Sequence, residues 1–336
     1  MSEPIMNLAI IGAGRIAHVH AAAAARDPRI ALKYVSDIRA EAAEALASMY
    51  GAASVDVDTI FADDAIDAVL IASSTATHAE FLERAATTGK AVLCEKPIAL
   101  DIERTKAAVD VVNAHPVACA LGFNRRHDPQ FAALKAAIEA GRIGQLETLT
   151  IISRDPAPPP IDYIKGSGGL FFDMMIHDFD VARWLLDEPI ASVFASGGVM
   201  VDPAIGEAGD IDTAMVVLTT ESGRLCHIQN SRRTAYGYDQ RIEAFGSAGM
   251  LQAVNETETR LRYTGEAGQL DEPPKHFFLE RYGIAYGREL GDLYDAWSTG
   301  SAPKATHEDG YQSLRLAAAA TQSLAENRSV RLDEIG

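Results

Sequence analysis

Apolar positions in the first third of the chain fall into two alternating periods. Short unbroken runs at Asn7–Ile11, Ile30–Ser36, Ala68–Ala72, Ala91–Cys94 and Val117–Leu121 read as buried strands. Each of the first four is followed by an Ala-rich stretch with helical spacing: Ile16–Arg26, Ala40–Tyr50, His78–Thr87 and Ile102–Asn113. Strands alternating with helices predict a parallel sheet covered on both faces, because parallel neighbours need crossover connections of one hand. Gly51 and Gly89 stand where helices should end, and Asp101 where one should begin.

From about Gly122 the rhythm changes. A helix is expected over Gln130–Ala140 and a strand over Leu146–Ser153, followed by DPAPPPIDYIKGSGG, which is too irregular for either element. A helix should then run from near Phe171 to Leu186. Alternating runs at Ser192–Val199, Thr213–Thr219, Arg224–Asn230, Arg241–Phe245 and Leu251–Val254 follow, with glycines between them. Consecutive strands on short turns predict a mostly antiparallel sheet with one face open to helices or a second subunit. Two late helices, Leu279–Trp297 and Gly310–Glu326, are expected to pack over the sheet or back on the first domain. The expected division is 1–122 and 123–336.

Composition narrows the class of partner. The formal charge of −17 argues against nucleic acid and against anionic membrane surfaces, both of which select basic patches. No apolar run is long enough to span a bilayer, and MSEPIMNLAIIG lacks a signal-peptide layout. Cys94, Cys119 and Cys226 are odd in number and widely spaced, which fits a reducing cytoplasm better than a disulfide framework. A small-molecule partner remains.

LAIIGAGRIA places Gly12, Gly14 and Ala17 at the three positions of a dinucleotide fingerprint, between the first strand and the first helix. Gly12 suits the tight turn, Gly14 a close backbone approach to pyrophosphate, and Ala17 close packing of helix on sheet. Asp37, at the end of the second strand, would accept from adenosine ribose hydroxyls and repel a 2′-phosphate. That favours NAD over NADP, with Arg39 softening the preference; the bland alternative is a capping aspartate. Ser73, Ser74 and Thr75 either line the nicotinamide side or cap the helix at His78.

Glu95, Lys96 and Pro97 follow the strand run Ala91–Cys94 at the end where open α/β sheets bind ligands. A lysine there needs an anionic or hydrogen-bonding partner, although a surface Lys-Pro turn is the plain alternative. Asp173, His177, Asp180 and Trp184 are spaced to share one face of a single helix. An imidazole can take a hydroxyl proton while a carboxylate orients it. Asp173 as a cap, Asp180 as a surface partner of Arg183, and a divalent ion on the three side chains stand as alternatives. No further His or Cys supports the ion.

GAGRIA, EKP and D-M-M-I-H in this order resemble the glucose–fructose oxidoreductase, inositol dehydrogenase and rhizopine catabolism (Gfo/Idh/MocA) family, and the resemblance extends to DGYQSLRLAAAATQSLAENRSVRL near the end. GFNRRHDPQF, SRDPAPPPIDYIKGSGGLFFDMMIHDFDVARWLL and SRRTAYGYDQRIEAFGSAGM are most similar to its inositol 2-dehydrogenase branch. The resemblance implies an α/β fold: an N-terminal Rossmann domain, then an α+β domain whose large, mostly antiparallel open sheet builds a homotetramer. It implies oxidation of myo-inositol to 2-keto-myo-inositol with NAD, and Lys96, Asp173 and His177 as catalytic residues. Cofactor contacts would come from Gly12, Gly14, Arg15, Ile16, Asp37, Ser73, Ser74, Thr75, His78, Glu95 and Lys96. Substrate contacts would come from Lys96, Asn124, Arg125, Asp155, Asp173, His177 and Tyr236, with Tyr238 as the alternative tyrosine. Asn124 stands where some members carry a hydrophobic residue. Other readings are an enzyme for another inositol isomer or for an aldose at C1, and a non-catalytic NAD-binding regulator.

Overall fold

A computed structural model describes residues 3–336. The chain divides into two compact units: Met1–His127 with Gly283–Leu314, and Asp128–Tyr282 with Arg315–Gly336.

The first unit holds a parallel sheet built from β1 (Met6–Ile11), β2 (Ile30–Ser36), β3 (Ala53–Ser54), β4 (Ala68–Ile71), β5 (Ala91–Cys94) and β6 (Cys119–Leu121), in the order β3-β2-β1-β4-β5-β6. Helices α1 (Arg15–Ala24), α2 (Ala40–Met49), α3 (Val57–Ala62), α4 (Thr75–Thr87) and α5 (Ile102–Ala114) connect the strands. Every residue of β4 and β5 is buried, which explains their uninterrupted apolar sequence. The order reverses direction at β1 and β4, so the loops after these strands form the crevice where such sheets bind ligands. Gly51 and Gly89 have φ of 69° and 71°, and the Asp101 side chain accepts from Arg104 N–H at 2.7 Å. β3 and α3 are too short to show a period in the sequence.

The observed division departs from the one at 122/123 in two ways. The turn Asn124–His127, all four residues buried, groups with the first unit. So does the helix Gly283–Thr299, whose Leu290, Leu293 and Tyr294 enter the core formed by Leu8, Ile10, Ala17, Ala21 and Leu46. The following segment runs beside β6, where Leu121 N–H donates to Ala305 O at 3.0 Å. A late apolar face is thus buried on an early sheet, one of the two placements expected for the late helices.

The second unit begins with α6 (Pro129–Glu139), capped by Asp128, and β7 (Leu146–Arg154). α7 (Ile161–Ser167) forms inside the Pro-rich segment expected to be irregular: Pro158, Pro159 and Pro160 precede the helix, where their missing N–H groups cost nothing. The helix expected over 171–186 is two helices, α8 (Leu170–Asp173) and α9 (Ile176–Leu186). Met174 and Met175 N–H both donate to Leu170 O, at 3.0 and 2.9 Å, which widens the turn between them. β8 (Ile190–Gly198), β9 (Thr213–Thr220), β10 (Leu225–Ser231), β11 (Asp239–Gly246) and β12 (Gly249–Ala253) complete a sheet ordered β12-β11-β7-β10-β9-β8 and closed by Val330–Arg331. Its pairs are antiparallel except β7 with β10, so the sheet is mixed. α9 lies on one face: Asp178 accepts from Ser153 Oγ at 2.7 Å and from Asn230 Nδ2 at 2.9 Å.

Candidate functional site

The turn from β1 to α1 is shaped by backbone. Gly12 has φ +102°, and a Cβ there would lie 2.3 Å from Ala72 O. No non-glycine residue fits that position without moving the backbone just after β4. At Gly14, by contrast, a Cβ would meet nothing within 4 Å, so the space above the first turn of α1 is open. That turn has no acidic residue and no side-chain cap, which leaves its amides and positive end to an external anion. Arg15 is exposed and Ile16 partly buried at its start. Asp37 follows β2, and its Oδ2 accepts from Ala13 N–H at 2.7 Å while Oδ1 accepts from Arg39 N–H at 2.8 Å. It therefore fixes the glycine turn and retains lone pairs for a diol. A dinucleotide fits these residues: open space over Gly14, an uncapped helix start and a carboxylate beyond it.

Across the crevice, Ser74 occupies the cap position of α4 without a side-chain cap bond, and the helix starts at Thr75, earlier than expected. Ser73 Oγ instead meets Thr77 Oγ1 at 2.7 Å. His78 is buried, with Nδ1 2.8 Å from Pro97 O and Nε2 3.1 Å from Ser73 O. Its ring braces the loop after β4 against the Lys96–Pro97 turn, a cis peptide.

Glu95 meets His20 Nε2 at 2.8 Å. Burial opposes its charge, but the His20 hydrogen bond, with His20 and Lys96 nearby, outweighs burial and holds the carboxyl below its usual range. Glu289, on the helix Gly283–Thr299, is buried with neither oxygen hydrogen-bonded; burial, then Glu95 and Asp292, pushes it well above the carboxylate range. Sequence reasoning missed His20 and Glu289. Each is a polar residue on the apolar stripe of an amphipathic helix, and that is the signal that could have found them. Asn124 and Arg125 lie in the buried turn after β6, within the first unit.

In the second unit Asp173 ends α8 and His177 lies in the first turn of α9, so the four residues expected on one helix are divided between two. Asp180 is fully buried, which corrects its reading as a surface partner. Both oxygens of Asp173 are engaged: Oδ1 accepts from Tyr163 O–H at 2.8 Å, and Oδ2 faces Arg232 Nη1 at 3.3 Å. Tyr163 and Arg232 lie inside segments that carry the family resemblance, but neither is singled out there as a site residue. No group of three or more His, Cys, Asp or Glu among the described residues could hold a metal ion.

Side-chain alternation sorts the remaining candidates. Ser153, Asn230 and Gln240 pair across the sheet and face α9. Asp155, whose N–H donates to Ser231 O at 3.0 Å, continues the α9-facing alternation of Ser153. Tyr238 packs edge-on to Tyr282, which donates to Gln240 on that face. Tyr236 does not join them. Its hydroxyl donates to Asp239 at 2.6 Å and accepts from Arg154 at 2.8 Å, and both partners occupy the opposite face.

Comparison with known proteins agrees with this layout. Residues 6–123 match the oxidoreductase family's NAD-binding Rossmann fold, and residues 131–252 the GFO/IDH/MocA C-terminal domain. The chain is 46% identical to an inositol 2-dehydrogenase of Rhizobium meliloti, over 96% of this chain and 98% of that one. It is 44% identical to a myo-inositol 2-dehydrogenase of Thermotoga maritima, over 98% and 99%. A scyllo-inositol dehydrogenase from Lactobacillus casei, solved with NAD(H) and scyllo-inositol, superposes with a TM-score of 0.91 at 29% identity, covering 98% of this chain and 99% of that one. The chain belongs to the Gfo/Idh/MocA family of NAD-dependent oxidoreductases.

Proposed function

We propose that the protein oxidises one secondary hydroxyl of a cyclic polyol, myo-inositol to 2-keto-myo-inositol, with NAD+ as hydride acceptor. The observation that carries this reading is the 46% identity to an inositol 2-dehydrogenase across nearly the whole chain. The EKP lysine and the Asp-x-x-x-His pair are both intact. NAD+ supplies the hydride-accepting nicotinamide; the remaining work falls to side chains. His177 takes the hydroxyl proton as hydride leaves the same carbon, so the alcohol loses one hydride and one proton and becomes a ketone. Asp173, engaged at both oxygens by Tyr163 and Arg232, orients the imidazole and stabilises its charged form. Lys96 hydrogen-bonds the reacting oxygen and offsets the negative charge that develops there. Asn124, Arg125 and Asp155 read the other hydroxyls. Tyr238 is the tyrosine we assign to this task, because it shares the α9 face and Tyr236 does not. Asp37 disfavours a 2′-phosphate and so NADP.

The assembly we propose is a homotetramer. Phe194, Met215, Val217, Leu225, Phe245 and Met250 are exposed on the face of the second sheet opposite α9, with Thr148, His227 and Glu243 among them, and apolar side chains on such a face are what subunits cover. The proposed compartment is the cytoplasm: the cysteines are buried free thiols, and burial pushes Cys119 up to about 12, far from reactive. Among the described residues, no helix is long and apolar enough to cross a membrane.

A panel of inositol isomers and aldoses with NAD+, followed by NADH absorbance, tests the reading. Myo-inositol is expected to give the highest kcat/KM. A faster aldose would replace the substrate, and tight NAD binding without turnover on any polyol would replace the enzyme with a non-catalytic NAD-binding protein.

A further inference from the structure

Arg232 follows β10 with the alternation of Asn230, so it belongs to the α9 side of the second sheet. It is 1% exposed, and its N–H donates to Asp212 O at 2.9 Å. The guanidinium lies between two carboxylates, with Nη1 3.3 Å from Asp173 Oδ2 and Nη2 3.7 Å from Asp210 Oδ2. Asp210 Oδ1 in turn accepts from Leu170 N–H at 3.0 Å. Leu170 and Asp173 are the first and last residues of α8, so one buried cation ties down both ends of the helix that presents Asp173.

The pairing is poor as a purely structural device. Burying a guanidinium is costly unless its donors are satisfied, and Nε and Nη2 of Arg232 make no hydrogen bond. A structural arginine facing one carboxylate would form the two-bond fork; this one is shared between two. Removing its charge would leave Asp173 and Asp210 without their common cation at the two ends of one short helix.

We propose that Arg232 is a positioning residue for the oxidation. It fixes Asp173 as an anion that orients His177, so that the substrate proton passes to the imidazole and not to Asp173. The inference rests on the roles given above to Asp173 and His177.

The test compares Arg232→Gln and Arg232→Lys in the wild-type and Asp173→Asn backgrounds, with folding checked by thermal unfolding and NADH affinity by fluorescence. In the wild-type background Arg232→Gln is expected to lower kcat ~100-fold, and Arg232→Lys ~10-fold, with KM and NADH affinity within about threefold. With Asn at 173 neither should change kcat more than about twofold, because residues acting as one unit are not additive. Wild-type kcat in either variant, a loss carried by KM, or the same loss in both backgrounds would overturn the proposal. If Arg232→Gln does not fold, the lysine pair of measurements decides alone. His177→Ala separates the two levels: wild-type turnover there removes the catalytic assignment and this inference with it. Abolished turnover there, beside unaffected Arg232 variants, removes only the inference.

Discussion

Two glycine-led corners start helices in this protein, and they are held in opposite ways. The turn at Gly12–Gly14 leads into α1 and is shaped by backbone: Ala72 O closes over Gly12, Gly12 N–H donates to Ser36 O at 2.7 Å, and one carboxylate, Asp37, fixes Ala13. The turn at Gly168–Gly169, with φ of 83° and 87°, leads into α8 and is held by side chains from far along the sequence, Asp210 and Arg232. A cradle for a dinucleotide must present amides, so main chain builds it. The carboxylate we propose for catalysis must be aimed, and aiming falls to charges on other elements. The first corner should therefore fail in binding, the second in turnover.

The largest effect belongs to the second corner. His177→Ala should lose ~10²–10⁴ in kcat and keep NADH affinity, measured by steady-state rates beside a fluorescence titration. Retained turnover would dissolve the contrast.

Gly12→Ala should do the reverse. Its Cβ meets a carbonyl at 2.3 Å that cannot swing aside, so NADH affinity should fall at least ~30-fold, with ~1–3 kcal/mol of stability lost in denaturant unfolding. Affinity within threefold of wild type would show that the backbone after β4 can yield.

Gly169→Ala sharpens the comparison, because its Cβ meets the Asp210 carboxylate oxygen at 2.7 Å, a side chain that can rotate. Displacing Asp210 from Leu170 should cost kcat about tenfold and leave NADH binding unchanged. A binding defect would mean that the corners are coupled.

Tyr163→Phe is the mildest, since Asp173 keeps Arg232 when the phenol is lost. A kcat three- to tenfold lower is expected, about the worth of one exposed hydrogen bond. An effect as large as that of Asp173→Asn would make Tyr163, and not Arg232, the main hold on Asp173.

The same contrast explains what could be read from residues in order. The glycine turn, Asp37 and the EKP lysine were legible because strand, turn and helix are contiguous and each glycine answers a local steric demand. Lys96 at the end of β5 follows from the parallel topology alone. Asp173 and His177 were legible as a pair, but their single helix was not, because the break at Met174–Met175 comes from two amides sharing Leu170 O. Helical spacing takes no account of such a shared carbonyl. The sequence leaves Tyr236 and Tyr238 as alternatives for a simpler reason: two residues of equal parity look alike, and only the structure shows that the chain between them turns at Gly237, φ +115°.

Sequence by itself determined the parallel first sheet, the dinucleotide turn and the open second sheet, and it named the candidate catalytic residues. Each is a matter of local period or a short motif, where the physics acts between near neighbours in the chain. Tertiary structure alone decided that residues 283–314 complete the first unit and that His20 braces Glu95. It also decided that Tyr163 and Arg232 hold Asp173. Those contacts join residues from ten to hundreds of positions apart, and burial and charge pairing at that range leave no periodic trace in the sequence.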